Sequence, residues 1–285
     1  MINIYIPYNN DKQCVYREQA FSAVYKYYSS IKDFDVKVLS STPFSRAAAR
    51  NAVFEDRLED NETVFFSDAD IIVSEAQVRE AVSKASQSQE MILAYTNLSK
   101  MNAQETRYYI LTGDAVKNKR LIKFQCSGSF AIPVTLLRKI GGWDERFIEW
   151  GCEDRVFFYL AAFLRDKVYC QRLPGIAYHL FHPRSENARK RTLIENSIYR
   201  EYLQAFGISV DTLKSYKKPN LAKIWELRGR AQSSQQDSIK EIIPFQSRTV
   251  VQFKKKRKVV LVLKDTKLYK KLLQSKEYEY EGVAA

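Results

Sequence analysis

Between Met1 and Tyr95 the chain alternates short apolar runs with stretches of helical periodicity. Ile2–Ile6 is an apolar run that stops at Pro7, as a buried strand does. Val15–Ile31 carries apolar residues at helical spacing, and Val36–Leu39 is a second strand. Pro43–Leu58 reads as a helix rich in Ala and Arg. Thr63–Phe66 is a third strand, running into Ser67-Asp68-Ala69-Asp70 and then Ile71–Val73. Glu75–Ala85 is helical, and Met91–Tyr95 is a fourth strand. This β-α-β-α-β order predicts a layered α/β domain with a mostly parallel sheet. In such sheets ligands bind beyond the carboxyl ends of the strands.

The remainder is less regular. Lys100–Lys119 is polar and reads as a loop over a site. Leu121–Pro133 resembles a strand interrupted by Ser127-Gly128-Ser129, and Gly141-Gly142 marks a turn. Glu153–Leu164 is an apolar-faced helix, and Lys167–His182 is extended with a break at Pro174-Gly175. Arg191–Phe206 is a helix closed by Gly207, a suitable C-cap. Beyond it, Ala231–Asp237 is a linker or a helix surface. Thr249–Phe253 and Val259–Leu263 flank Lys254-Lys255-Lys256-Arg257-Lys258, the pattern of a β-hairpin with a basic tip. Leu268–Glu281 reads as a closing helix.

At 45% hydrophobic residues the chain is too apolar to be disordered throughout or collagen-like. No apolar run reaches the ~18 residues of a bilayer span. Met1–Asn10 lacks the basic and apolar regions of a signal peptide, so the expected location is cytoplasmic. Cys14, Cys126, Cys152 and Cys170 are scattered, which predicts reduced thiols in place of a zinc ribbon or disulfide scaffold. The net charge of +13 is concentrated late: residues 214–285 hold 18 of the 46 Lys/Arg but only 7 of the 33 Asp/Glu. Such a segment either attracts a polyanion or is a solvated face that keeps the chain soluble.

Three small clusters carry chemistry. Asp68-Ala69-Asp70 follows an apolar strand, and residues two apart on an extended chain share a face. Two carboxylates so placed repel unless a cation lies beside them, and a hard divalent ion with phosphate ligands meets that need. The plain alternative is a turn sequence, since Asp favours turns. The chain has two histidines in all, His179 and His182, three apart in Tyr178-His179-Leu180-Phe181-His182-Pro183. Two imidazoles at that spacing can reach one ion from a turn or helix. The third cluster is Trp150-Gly151-Cys152-Glu153-Asp154, ahead of a helical run. Its acids are either plain dipole partners of that helix or include a general base, ionised by the helix N-terminus.

In order along the chain, these pieces resemble a GT-A glycosyltransferase, most closely the β1,4-galactosyltransferase family and related family-2-type enzymes. Ile6-Pro7-Tyr8-Asn9-Asn10 resembles the strand end that meets the nucleotide. Phe44-Ser45-Arg46-Ala47 through Asn51 resembles an F-x-R-A…N helix start, and Val64 through Asp70 a D-x-D strand. Ser127 through Ala131, Gly141-Gly142-Trp143-Asp144 and Trp150 through Asp154 resemble the acceptor-side motif. The match spans roughly residues 1–190 and its specificity lies in the ordered set. It departs from the family at Cys152, where W-G-G-E-D has glycine, in lacking a signal anchor or stem, and in the basic C-terminal quarter.

The resemblance implies a Rossmann-like GT-A domain over 1–207, and the late concentration of basic charge predicts a small basic α+β extension over 208–285 that the family does not match. It implies an inverting, Mn²⁺- or Mg²⁺-dependent transfer of a hexose from a nucleotide-sugar, by family UDP-linked, to an acceptor hydroxyl. Pro7, Tyr8, Asn9, Phe44 and Arg46 would contact the donor. Asp68 would lie near ribose and metal, and Gly128 would let the donor approach. Asp70, His179 and His182 would ligate the ion. Asp154 would be the base, Glu153 would bind the acceptor, and Trp150 would pack beside both substrates.

For the acceptor, one reading is double-stranded DNA bearing hydroxymethylated pyrimidines, as in a viral or phage cytoplasmic enzyme. Lys254, Lys255, Lys256, Arg257 and Lys258 would then hold phosphates without reading sequence. Another is a surface polysaccharide or lipid-linked glycan, with the basic segment on anionic lipid. A third is a non-catalytic nucleic-acid-binding module on a degenerate transferase fold. The catalytic reading requires two things of the fold. Asp70 must meet the imidazoles, and Asp154 must not be buried against an unrelated arginine.

Overall fold

A computed structural model gives the architecture. It describes residues 1–9, 14–114, 121–123, 128–148, 152–167, 169–183, 193–209, 219–233, 239–243, 250–255, 258–263, 270, 273–274 and 279–283. The chain begins with β1 (Ile2–Pro7), α1 (Val15–Ser29), β2 (Phe34–Thr42) and α2 (Arg46–Asn51), the last extended by a 3₁₀ turn over Ala52–Glu55. Next come β3 (Thr63–Ser67), β4 (Ile71–Ile72), α3 (Glu75–Ser88), β5 (Ile92–Leu93), β6 (Asn97–Lys100) and α4 (Ala103–Thr112). Then follow β7 (Leu121–Lys123), β8 (Ser129–Pro133), α5 (Val134–Ile140), α6 (Glu153–Phe163), β9 (Gln171–Arg172), β10 (Ile176–His179) and α7 (Leu193–Ala205). The C-terminal quarter supplies α8 (Leu221–Ser233), β11 (Ile239–Ile243), β12 (Val250–Lys255), β13 (Lys258–Leu263) and β14 (Glu279–Val283).

The α/β class is as the alternation predicts. The main sheet has seven strands in the order β11-β2-β1-β3-β8-β5-β9. It is mixed: β1 runs parallel to β2 and β3, and β5 to β9, while β11–β2, β3–β8 and β5–β8 are antiparallel. The sequence shows the three leading strands as a parallel set because helices α1 and α2 separate them. Short β8 returns antiparallel without a helical signature of its own.

Alternation along the strands sends side chains to two cores. Tyr5 and Phe66 belong to one cluster with Trp143, Phe157 and Tyr202, while Ile4, Ile6 and Phe65 belong to the other with Phe21, Tyr28 and Tyr95. Trp143 stacks on Phe157 with centroids 3.9 Å apart. Both faces of the sheet are thereby covered, which is why β1 and β3 read as unbroken apolar runs.

A second, four-stranded sheet (β4-β10-β6-β7) and a third (β13-β12-β14) complete the fold. In the third, β12 and β13 form the expected antiparallel hairpin, Lys255 opposite Lys258. Lys256 and Arg257 lie outside the described residues.

Several expectations need correction. Lys100–Lys119 is no plain loop: α4 occupies its middle, started by a reciprocal capping box between Asn102 and Glu105 and closed by Gly113 at φ 74°. The Pro43–Leu58 helix is shorter than its composition suggests, because only Arg46–Asn51 is α-helical. Of the closing helix expected over Leu268–Glu281, Lys270 and Leu273 are helical, but from Glu279 on the described residues form strand β14. The stretch 208–285 is partly woven into the main domain. β11 pairs with β2 from Ile239 opposite Thr42 to Ile243 opposite Val38. Ile224 and Leu227 of α8 enter the first core, and buried Arg228 donates to the carbonyls of Ile140, Gly141 and Gly142. Its charge suggested an appendage, but its few apolar residues suffice to dock it. Cys14, Cys152 and Cys170 form no disulfide among the described residues, and Cys126 lies outside them. Among the described residues no helix is long and apolar enough to cross a membrane.

Candidate active site

The site lies beyond the carboxyl end of β3, where the chain passes from the main sheet into the second one. Asp68 is fixed by its backbone N–H, which donates to the Gly128 carbonyl at 2.6 Å. Gly128 sits at φ +110°, and a Cβ there would lie 2.6 Å from Ile71 Cδ1 and 2.8 Å from the Tyr95 hydroxyl. Only glycine fits that conformation and that space.

Two residues on, the antiparallel pairing of β4 with β10 sets Ile71 opposite His179, and the Leu180 N–H donates to the Asp70 carbonyl. This register brings two distant segments of the sequence to one point. Asp70 Oδ2 lies 2.7 Å from His182 Nε2 and 3.7 Å from His179 Nε2. One ligand atom from each of Asp70, His179 and His182 falls within 4.8 Å of the others. The first condition placed on the fold is therefore met.

The donor set fits a divalent ion: one carboxylate and two imidazoles, all partly buried, with no lysine in the triad. Burial alone would raise the Asp70 carboxyl, but His179, His182 and Arg46 outweigh it and hold it well below the usual carboxylate range. Burial pushes the His179 imidazole down, against the pull of Asp70. Burial thus favours the neutral imidazole at His179, the form that ligates metal.

Beside the triad lies a charge cluster centred on Arg50, a residue that sequence reasoning missed. Arg50 of α2, its side chain 3% exposed, sends Nη2 to Asp68 Oδ1 at 2.9 Å and Nη1 to within 2.9 Å of Asp154 Oδ1. Nη2 also donates to Asp154 Oδ2 at 3.4 Å. Glu153 Oε1 lies 3.6 Å from Arg50 and 3.7 Å from Arg46. The guanidinium packs over the Trp143 ring, 5.6 Å from its centroid. Burial would lower the Arg50 pKa, but Asp154, Asp68 and Glu153 raise it above the ordinary arginine value, so it is permanently cationic. Burial raises the Asp68 carboxyl against the pull of Arg50. Burial, and then the Asp154 charge, raise that of Glu153.

The second condition placed on the fold is not met as stated, because Asp154 does have an arginine partner. The reason is geometric. Arg46 and Arg50 are one helical turn apart on α2, so both point at the start of α6. Arg50 is not unrelated to the site, since the same guanidinium holds Asp68. That spacing was the one available signal, and an Ala-Arg helix reads more readily as a solvated face.

The other expected residues fall as follows. Pro7, Tyr8 and Asn9 lie at the end of β1, as the strand pattern requires. The Tyr8 ring stacks on Phe21 at 3.6 Å and its hydroxyl donates to buried Glu18. Ser45 caps α2, which leaves Phe44 half-buried just ahead of it and Arg46 at the first helical position. Arg46 influences Asp68, Asp70 and Glu153 alike, so it stands between the two clusters. Asn51 anchors the acceptor-side turn: its amide donates to the Trp143 carbonyl and to Glu145, and its oxygen accepts from the Trp143 N–H. Trp150 lies outside the described residues, and Lys254, Lys255 and Lys258 are placed only as backbone positions of β12 and β13.

No protein-family model matches the chain, and no curated protein sequence matches it. Solved structures similar to it are glycosyltransferases. The catalytic domain of Drosophila β1,4-galactosyltransferase 7 in complex with xylobiose is 11% identical over 92% of both chains, with a TM-score of 0.40. A mutant of the Drosophila enzyme with manganese, UDP-Gal and xylobiose is 10% identical over the same shares, with a TM-score of 0.40. GalNAc-T7 with UDP, GalNAc and Mn²⁺ is 11% identical over 81% of this chain and 55% of that one, with a TM-score of 0.44. The chemistry rests on the residues themselves.

Proposed function

We propose that the protein is a metal-dependent glycosyltransferase of the GT-A type that moves a hexose from a nucleotide-sugar to an acceptor hydroxyl with inversion. The observation that carries this reading is the convergence of Asp70, His179 and His182 beside Asp68, Arg46 and Asp154. The family resemblance favours a UDP-linked donor. Asp70, His179 and His182 hold the divalent ion, which when bound supplies Lewis-acid stabilisation to a diphosphate leaving group. Arg46, its side chain 32% exposed, adds a guanidinium on the same side. Asp154, 15% exposed, accepts the proton of the incoming hydroxyl. The acceptor oxygen forms its bond to the anomeric carbon as the bond to the diphosphate oxygen breaks, the proton passes to Asp154, and the nucleoside diphosphate leaves.

The test is hydrolysis of UDP-galactose and UDP-glucose by the full chain with Mn²⁺, read by mass spectrometry. The reading expects release of UDP that stops on chelation, and no release under any divalent ion overturns it.

For the acceptor we favour DNA carrying a hydroxymethylated base in a cytoplasmic, phage-type setting. The support is the net basic charge of residues 214–285 together with the run Lys254–Lys258 at a hairpin end. A gel-shift titration on duplex DNA should show affinity falling steeply from about 50 to 200 mM salt. A flat salt response, or no shift, removes DNA in favour of a glycan acceptor.

A further inference from the structure

Arg50 has a place in the site that neither the motifs nor the proposed chemistry assigns. Its side chain is 3% exposed, while its two aspartate partners are 29% and 15% exposed. The guanidinium therefore lies behind the carboxylates, and the carboxylates face the open side. It reaches Asp68, on the loop after β3, and Asp154, on the first turn of α6, with different nitrogens of one planar group. These elements share no strand pairing, so this cation is a direct tie between the donor-side and acceptor-side carboxylates. Trp143 at its face, itself 2% exposed and held by Asn51, fixes the plane of the guanidinium. A lysine in the same place would keep the charge but present one point where two are needed.

We propose that Arg50 is a positioning residue for transfer: it sets the distance and orientation between Asp68 and Asp154, and so places the base relative to the bound donor. The inference rests on the transferase reading. The probes are UDP with Mn²⁺ for calorimetry and UDP-galactose with Mn²⁺ for hydrolysis, since water can serve as the acceptor.

The test is a cycle of Arg50→Lys, Asp154→Asn and the double variant. Arg50→Lys should keep Mn²⁺-dependent UDP affinity and the KM for UDP-galactose within about threefold, because Asp70, His179 and His182 are untouched, while kcat falls at least about tenfold. In the Asp154→Asn background the same change should cost less than about twofold, since Arg50 acts through Asp154. A merely structural arginine would lower both backgrounds by the same factor, and that result overturns the proposal, as does an unchanged kcat in Arg50→Lys. Should Arg50→Lys not fold, Arg50→Gln takes its place in the cycle, because it keeps a polar side chain at the position without the two-point guanidinium. Its kcat loss should likewise shrink below about twofold when Asp154 is already Asn, and equal losses overturn the proposal. The two readings fail differently. A wild-type chain without Mn²⁺-dependent UDP binding overturns the transferase reading and this proposal together. A wild type that binds and hydrolyses, with multiplicative variants, overturns this proposal alone.

Discussion

Replacing Asp154 by asparagine changes one charge and almost no volume, which makes it the cleanest probe of the base. Around it three carboxyls, Asp68, Glu153 and Asp154, face two guanidiniums, Arg46 and Arg50. With all groups ionised the balance is one negative charge, and neutralising Asp154 brings it to zero. The pocket then repels an anionic nucleotide less. Mn²⁺-dependent UDP affinity in Asp154→Asn should therefore equal or modestly exceed that of the wild type. Arg50 keeps its 2.9 Å contact to Asp68, so the tie at the donor side persists. Turnover should fall by about 10²–10⁴, the usual worth of a general base, or roughly 3–5 kcal/mol of barrier. The assay pairs UDP calorimetry with UDP-galactose hydrolysis on the same preparation. Near wild-type turnover with intact binding would show that Asp154 is a structural partner of Arg50 and takes no proton.

Two further outcomes are expected. Mn²⁺-dependent UDP affinity should be flat above about pH 7 and fall once pH drops below the ordinary histidine value of about 6.5, because a protonated imidazole cannot ligate. His179, depressed by burial, holds its neutral form further into acid than a free histidine, and Asp70 stays ionised throughout that window. Stability runs the same way: the folded chain binds fewer protons at His179 than the unfolded one, so it weakens as pH falls below the unfolded value. An affinity unchanged between about pH 7.5 and pH 5 would remove the imidazoles from the site. The second outcome concerns Gly142→Ala. Gly142 sits at φ +74°, and a Cβ there runs into Asn51 Oδ1 and lies 2.8 Å from Phe54 Cε2. The strain costs about 1 kcal/mol and loss of the three buried Asn51 hydrogen bonds about 1 kcal/mol each, so Tm should drop by roughly 6–8 °C. A drop below about 2 °C in a thermal melt would show that the Asn51 clamp is dispensable.

Much of this was legible from residues alone, for physical reasons. Strands buried on both faces leave continuous apolar runs, so β1 and β3 could be read directly, and the carboxylates had to lie past their ends. Two histidines three apart, with none elsewhere, pointed to a shared ligand, and the pairing of Ile71 with His179 supplies the contact that sequence spacing could not. Arg50 was invisible because a buried arginine and a surface one look alike in an Ala-Arg helix. What distinguishes it is the company of Asp68 and Asp154, far away in sequence. The docking of α8 and β11 was hidden by charge. Arg228 is among the basic residues that suggested an appendage, yet it is 3% exposed and ties α8 to the Gly141-Gly142 turn.

Crystals of the full chain grown with MnCl₂ and UDP, measured at a wavelength where manganese scatters anomalously, address the site most directly. The anomalous map should hold a peak within coordinating distance of Asp70, His179 and His182 together, with the UDP diphosphate against it. A manganese peak bound away from those three side chains, or UDP bound with no ion between it and Asp70, would contradict the metal centre.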